Sequence, residues 1–101
     1  MTPLRTRMNQ DLRIRNYAPT TIKTYIKRVA AFARFFGRSP EFLGPEEIRT
    51  YQVHLVEDRE ASWTVLNQTV CALRFLYRVT LRRDWVIEQA RPYEVEYAGT
   101  L

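Results

Sequence analysis

The chain has one cysteine, one histidine and three glycines among its 101 residues. A single cysteine cannot form an intramolecular disulfide, and one Cys with one His falls short of the ligand set of a structural zinc site. No apolar run approaches the ~18 residues of a membrane span, and no apolar signal core follows the N-terminal charges. These absences argue against disulfide scaffolds, zinc fingers, membrane proteins and secretion, and they favour a cytoplasmic location.

Signals for catalysis are equally scarce. His54 is the only histidine, no Ser or Cys stands beside a recognisable base, and no Gly-rich phosphate loop is present. We therefore expect no catalytic residue, no metal, no cofactor and no small-molecule substrate. His54 is expected at or near the surface, Cys71 as a packing residue, and Glu46 and Glu47 as partners of a helix dipole.

The charge of the chain is uneven along its length. The net charge is +5 with a pI near 9.8, which favours an acidic partner such as nucleic acid. Residues 1–38 carry nine Lys and Arg against one Asp, and residues 62–83 carry four Arg and no acidic residue. Residues 39–61 carry six acidic residues against two Arg, and residues 84–101 carry four against one. Such blocks predict a domain with one basic and one acidic side.

Apolar residues at helical spacing predict a first and a second helix. The first ends before residues 16–19, and the second runs from Pro19, favoured at the first helical position, to Gly37, which is typical of a helix end. The two stripes are Leu4, Met8 and Leu12, and then Ile22, Tyr25, Ile26, Val29, Phe32, Ala33 and Phe36.

Two further helices follow. Gly44 and Pro45 predict the start of the third helix, and Ser62 predicts the N-cap of a fourth that runs to about Arg82. Their stripes are Ile48, Tyr51 and Leu55, and then Leu66, Val70, Leu73, Tyr77 and Leu81. We expect the aromatic side chains to be core, namely Tyr25, Phe32, Phe35, Phe36, Tyr51, Phe75 and Tyr77. Residues 85–87 are expected to form a last packed turn, and no strand pattern is present. The fold class is therefore an all-α, compact bundle of four to five helices.

Basic and uncharged polar side chains line the second and fourth helices. The basic residues at steps of four or seven are Lys23, Lys27, Arg34 and Arg38 on the second helix, and Arg74, Arg78 and Arg82 on the fourth. Like charges so aligned repel in water and become favourable only against an anion. Asn67 lies on the same flank of the fourth helix, and the polar donors near the starts of the two helices are Thr20, Thr21, Thr24, Ser62, Thr64 and Gln68. The paired stripes predict contacts with a phosphate backbone.

Four segments of the chain carry a resemblance to a known family. They are residues 15–25 (RNYAPTTIKTY), 32–37 (FARFFG), 44–51 (GPEEIRTY) and 72–77 (ALRFLY). In this order and spacing they resemble the N-terminal SAM-like domain of tyrosine recombinases and phage-type integrases, over residues 2 to about 87. The resemblance implies a core-binding domain that forms half of a clamp around the recombination site of a mobile element, with its second and fourth helices across the DNA.

The sequence departs from that family pattern at two places. Position 18 is Ala where the family usually has Ser, so the second helix lacks a good N-cap. After Trp85 the chain turns acidic where the family runs into its catalytic domain. The family's catalytic arginines, histidine and nucleophilic tyrosine belong to that domain, which we expect to be absent. The expected organisation is a DNA-binding domain over residues 1–87 and a loosely ordered tail over residues 88–101.

The sequence therefore predicts a SAM-like domain that grips double-stranded DNA during integration and recombination and is not catalytic alone. The expected DNA contacts are Thr20, Thr21, Lys23, Thr24, Lys27, Arg28, Arg34, Thr64, Asn67, Gln68, Arg74 and Arg78. Other recombinase protomers are possible partners. Two alternatives stay open, which are a self-association module that uses the acidic third helix and a truncated remnant without function.

Overall fold

The computed structural model describes residues 2–85 and residue 87. Within them the chain forms α1 (Pro3–Ile14), α2 (Pro19–Phe36), α3 (Pro45–Glu57) and α4 (Trp63–Phe75). A 3-10 turn at Pro40–Phe42 precedes α3, and a π-helical turn at Leu76–Thr80 continues α4. The all-helical bundle is confirmed, whereas the predicted tail at 88–101 lies outside the described residues.

The helix boundaries follow from local chemistry. Thr2 accepts the Arg5 N–H at the start of α1, and Ser62 accepts the Val65 N–H at the start of α4. The backbone N–H of Gly44 donates to the Glu47 carboxylate (2.6 Å), so this acidic residue closes the first turn of α3.

Helix α2 lies between proline and glycine as expected. Pro19 occupies its first turn, and Gly37 ends it in the left-handed region at φ 65°, where a side chain would be strained. At Ala18 no side chain accepts a first-turn N–H. The weak N-cap expected from the sequence is therefore confirmed.

The core is built around the contact between α2 and α4. Phe32 of α2 and Leu73 of α4 are fully buried, and α1 lays Met8 and Leu12 against α2 and the π-turn. Burial of each such side chain contributes roughly 1.5–3 kcal/mol relative to exposure. Phe32 also meets Tyr51 of α3 edge to face, with ring centroids 5.3 Å apart. The core thus fixes the relative positions of all four helices.

Phe35 differs from the expected core. Its side chain is 44% exposed and lies over His54, with ring centroids 4.4 Å apart. It follows the buried Phe32 by three residues, but it has turned far enough around α2 to leave the core face. The prediction of a core role for Phe35 is wrong, whereas the half-buried His54 fits its expectation.

The fourth helix does not continue to Arg82 as an α-helix. The Leu81 N–H donates to the Leu76 carbonyl oxygen five residues back (2.8 Å), so the last turn holds one more residue than an α-helical turn. Two side chains fasten this turn to the bundle. Tyr77 donates its hydroxyl to the Pro40 carbonyl oxygen (2.7 Å), and Thr80 donates to Asp11 Oδ2 (2.9 Å).

The segment after the π-turn packs without forming a helix. The Trp85 ring packs against the Tyr77 ring with centroids 4.8 Å apart and a tilt of 44° between the ring planes, and Ile87 is buried. The expected last turn is packed as predicted, but residues 82–85 and 87 are not helical, and Val86 lies outside the described residues. In the part of the chain that the structure describes, no helix is long and apolar enough to cross a membrane.

Candidate nucleic-acid interface

A shallow polar depression lies where the first turns of α2 meet the middle of α4. Thr20, Thr21 and Thr24 line it from α2, and Gln68 lines it from α4, with Tyr25 beside them. Gln68 is more than forty positions away from the α2 residues in sequence, and the packing of α2 on α4 brings it beside them. Four of the expected polar donors therefore share one surface, whereas Ser62, Thr64 and Asn67 do not line it.

The start of α2 adds backbone donors to this depression. First-turn N–H groups have no partner inside a helix, and Ala18 supplies no side-chain acceptor for them. The positive end of the helix dipole points the same way. Thr20 and Thr21 therefore present both hydroxyl and backbone N–H groups to an anion at this surface.

Tyr25 borders the depression as a neutral phenol. Burial, with smaller contributions from Cys71 and Tyr17, raises the pKa of Tyr25 above its usual value. The Tyr17 ring packs against Tyr25 at 6.0 Å and against Phe75 at 5.4 Å. This aromatic cluster supports the junction of α2 and α4, and Tyr25 keeps its proton at neutral pH.

The cations of α2 lie on its solvent face. Lys23, Lys27 and Arg34 are exposed and form no ion pair with any residue that the structure describes. Helix α2 contains no acidic residue, so the repulsion among these cations is not relieved within the helix. The stripe predicted from their spacing is present.

Two arginines of α1 extend this basic face, and the prediction of contact residues omitted them. Arg5 and Arg13 border a groove between α1 and α2 together with Lys23. Arg5 also stands near Arg34 and Arg38 at the other end of α2. The charge of residues 1–38 was the available signal, but only the packing of α1 on α2 shows that these groups share a side.

The predicted stripe on α4 does not form a single line. Arg74 is half-buried and donates from Nη2 to the Ile87 carbonyl oxygen (2.6 Å). Arg78 is exposed on the π-turn, and Arg82 lies beyond it at φ 54°. The four-residue step fails because the π-turn changes the angle between successive side chains. Arg78 remains on the surface, whereas Arg74 supports the segment that follows the helix.

The other predicted contacts have different surroundings. Thr64 is exposed in the first turn of α4, and Asn67 is half-buried with its Oδ1 3.9 Å from the Cys71 sulfur. Arg28 is half-buried and donates from Nε (3.2 Å) and Nη2 (3.0 Å) to Gln68 Oε1. Arg28 is therefore engaged within the protein, unlike its neighbour Lys27.

Several acidic residues lie on α3 and in the turn after it. Glu46, Glu57 and Asp58 are exposed on or just after α3, and Asp58 pairs with His54 Nδ1 at 3.0 Å. Burial raises the pKa of Tyr51 on the inner face of α3, and the nearby Arg59, Arg28 and Arg34 oppose that rise. The basic and acidic blocks of the sequence thus lie on different helices, α2 and α3, and their division into two sides of the bundle stays a prediction.

Comparison with known proteins agrees with this architecture. Residues 4–87 match the family model described as the phage integrase N-terminal SAM-like domain. The chain belongs to this family.

Curated relatives carry matching names. An integrase/recombinase of Sinorhizobium fredii (y4qK) is 45% identical over 92 residues, which cover 91% of this chain and 30% of that protein. Integrase/recombinase proteins of Escherichia coli and Pseudomonas aeruginosa are each 33% identical over 88 residues, which cover 84% of this chain and 26% of each relative. The chain thus spans less than a third of the length of these relatives. No solved structure matches it.

Proposed function

We propose that this domain grips double-stranded DNA for an integrase/recombinase, through the solvent face of α2 and the adjoining surface of α4. The observation that carries the proposal is the row of exposed cations Lys23, Lys27 and Arg34, which form no ion pair with a described residue, together with the polar depression at the start of α2. Phosphate contacts of this kind fix the register of a protein on DNA.

In this proposal each group has a defined role. Lys23, Lys27, Arg34 and Arg78 neutralise phosphates, while Thr20 and Thr21 bind a phosphate with their hydroxyl and N–H groups. The domain serves recombination without cutting DNA itself, because the family's catalytic residues belong to a separate domain. Arg74 is withdrawn from the contact set and assigned to structural support.

The test is a fluorescence-anisotropy titration of a mixed-sequence duplex at several salt concentrations. We expect a Kd of roughly 10⁻⁴ to 10⁻⁶ M that weakens steeply with salt. The double change Lys23→Ala and Lys27→Ala should lower the slope of log K against log salt by about 2, because each lost phosphate contact removes about 0.9.

The matched control removes two exposed arginines that lie outside α2 and α4, one on α3 and one in the turn after it, by Arg49→Ala with Arg59→Ala. This control variant loses the same two positive charges as the α2 variant, and it should retain most of the slope of log K against log salt. If both double variants lose the same slope, only net charge matters and the α2 face has no special role. If the unaltered chain shows no salt-sensitive binding, the proposed function is wrong.

A second candidate function is self-association through α3. Exposed Val53 and Val56 border a groove with Leu66 of α4, and Arg49 and Glu57 stand at its two ends. Two copies paired antiparallel about a two-fold axis would place Arg49 of each against Glu57 of the other. The occupant of this groove would be a second copy of the chain.

Sedimentation equilibrium of charge-exchanged variants tests this pairing. Arg49→Glu and Glu57→Arg should each weaken the dimer, and the two changes combined should restore it. A dimer that ignores all three variants, or no dimer at all, removes this candidate.

A further inference from the structure

The contact between Arg28 and Gln68 joins α2 to α4 beside the polar depression. Two guanidinium nitrogens of Arg28, Nε and Nη2, donate to the same oxygen, Gln68 Oε1, at 3.2 and 3.0 Å. Both side chains are half-buried. Arg28 is thus turned into the bundle rather than toward solvent.

This contact fixes the orientation of the Gln68 side chain. Both donors lie on one edge of the guanidinium, so they hold the amide oxygen toward Arg28, which does not line the depression. The amide nitrogen lies on the other side of the group, and its two hydrogens find no acceptor among the residues that the structure describes. Gln68 therefore offers only donors to the depression that Thr20, Thr21 and Thr24 share with it.

A glutamine that can only donate hydrogen bonds can recognise only those base edges that present acceptors. Recognition of adenine by glutamine uses both amide atoms, with the oxygen accepting from the adenine amino group. That mode is closed when the oxygen is occupied. Guanine presents two acceptors in the major groove, N7 and O6, whereas cytosine presents an amino donor that would face the Gln68 hydrogens.

We infer that Gln68 is a specificity residue that reads the acceptor edge of guanine, and that Arg28 is a positioning residue that holds it in this state. The inference rests on the proposed DNA binding and adds base selection to it. In this inference Arg28 is not a phosphate contact, although the sequence analysis predicted it to be a DNA contact.

The experiment begins with selection of duplexes from a randomised library by the 101-residue chain at low salt, followed by sequencing. The enriched duplex is then titrated with guanine or with 7-deazaguanine at the enriched position, which removes the N7 acceptor and keeps base pairing. We expect 7-deazaguanine to weaken binding by about tenfold for the unaltered chain. Gln68→Ala should bind both duplexes equally.

Two variants of adjacent residues separate positioning from phosphate contact. Arg28→Met should shift the enriched base from guanine toward adenine, because it frees Gln68 Oε1 to accept. It should change the salt slope by less than half of the change caused by Lys27→Met, the matched loss of one charge on the solvent face. Lys27→Met should keep the preference for guanine. Circular dichroism confirms that each variant is folded.

The outcomes distinguish the inference from the proposal beneath it. Salt-sensitive binding with no enriched guanine, or an equal response of the unaltered chain and Gln68→Ala to 7-deazaguanine, overturns the inference alone. A slope loss for Arg28→Met as large as that for Lys27→Met with unchanged enrichment also overturns it, because Arg28 is then a phosphate contact. Absence of salt-sensitive binding overturns the proposed function itself.

Discussion

Helices α2 and α4 carry cations at the same four-residue step, but they use them differently. Helix α2 holds Lys23 and Lys27 on a solvent face along a regular α-helix. On α4 the same step leads from Arg74, which is bonded to Ile87, to Arg78, which is exposed on a π-turn. Spacing therefore predicts a shared face only where helix geometry stays uniform and no later segment folds over the face.

The largest effect is expected from removing a buried side chain at the junction between α4 and the π-turn. Leu76 is fully buried there, and Leu76→Ala should lower the free energy of unfolding by about 3 kcal/mol. Urea denaturation measures the loss. The control is Lys27→Ala on α2, which should cost less than about 0.5 kcal/mol. Equal losses of unfolding free energy in the two variants would show that packing at the junction does not stabilise the fold.

A sharper comparison uses two arginines of the fourth helix and its π-turn. Arg74→Ala should destabilise the protein by about 2 kcal/mol, because the Ile87 carbonyl loses a charged donor at 2.6 Å. Arg78→Ala should change stability by less than about 0.5 kcal/mol. For DNA affinity the order reverses, and Arg78→Ala should have the larger effect on the salt slope. Chemical denaturation and anisotropy on the same two variants measure both orders.

The hydroxyl of Tyr77 gives a smaller effect that depends on pH. Tyr77→Phe removes its bond to the Pro40 carbonyl and should cost about 1.5 kcal/mol at neutral pH. Burial raises the pKa of Tyr77, so the folded protein retains a proton that the unfolded chain loses from about pH 10.

The stabilising contribution of this proton is complete below pH 10 and declines as the pH rises above it. The loss amounts to at most about 1.4 kcal/mol per pH unit for this group. Denaturation at pH 9 and pH 11 should therefore show a shallower decline for Tyr77→Phe than for the unaltered protein. Tyr25 and Tyr51 also have raised pKa values, so some decline persists in the variant. Parallel declines would contradict the role given to Tyr77.

The smallest pair of effects concerns the N-caps of the two helices. Ser62 accepts the Val65 N–H in α4, so Ser62→Ala should cost about 1 kcal/mol. Ala18 offers no acceptor in α2, so Ala18→Ser should add up to about 1 kcal/mol. Thermal unfolding of the two variants should show shifts of opposite sign. A loss for Ala18→Ser would mean that its hydroxyl does not reach the first-turn N–H groups.

The sequence predicts features that depend on neighbouring residues. The starts of α2 and α3 and the end of α2 follow from Pro19, Pro45 and Gly37, whose backbone preferences act locally. The apolar stripes likewise predict the buried faces. These signals were sufficient for the fold class and for the resemblance that the family match confirms.

Features that depend on distant residues could not be predicted in this way. The sequence does not reveal the π-turn, because the spacing of apolar residues through Tyr77 is also that of an ordinary α-helix. The partnership of Arg28 with Gln68 spans forty residues, and the inward turn of Arg74 depends on a carbonyl thirteen residues later. Side chains of the same type at the same step therefore received the same prediction, although their partners differ.

The bond between Thr80 and Asp11 also bears on the order in which the domain folds. It joins residues 69 apart in sequence, and it fastens the first helix to the last turn of the bundle. During synthesis α1 leaves the ribosome first, yet its packing is complete only after residue 80 has emerged. Helices α2 and α3 can form meanwhile from local contacts, whereas closure of the domain needs contacts between residues far apart in sequence, such as Thr80 and Asp11, and comes late.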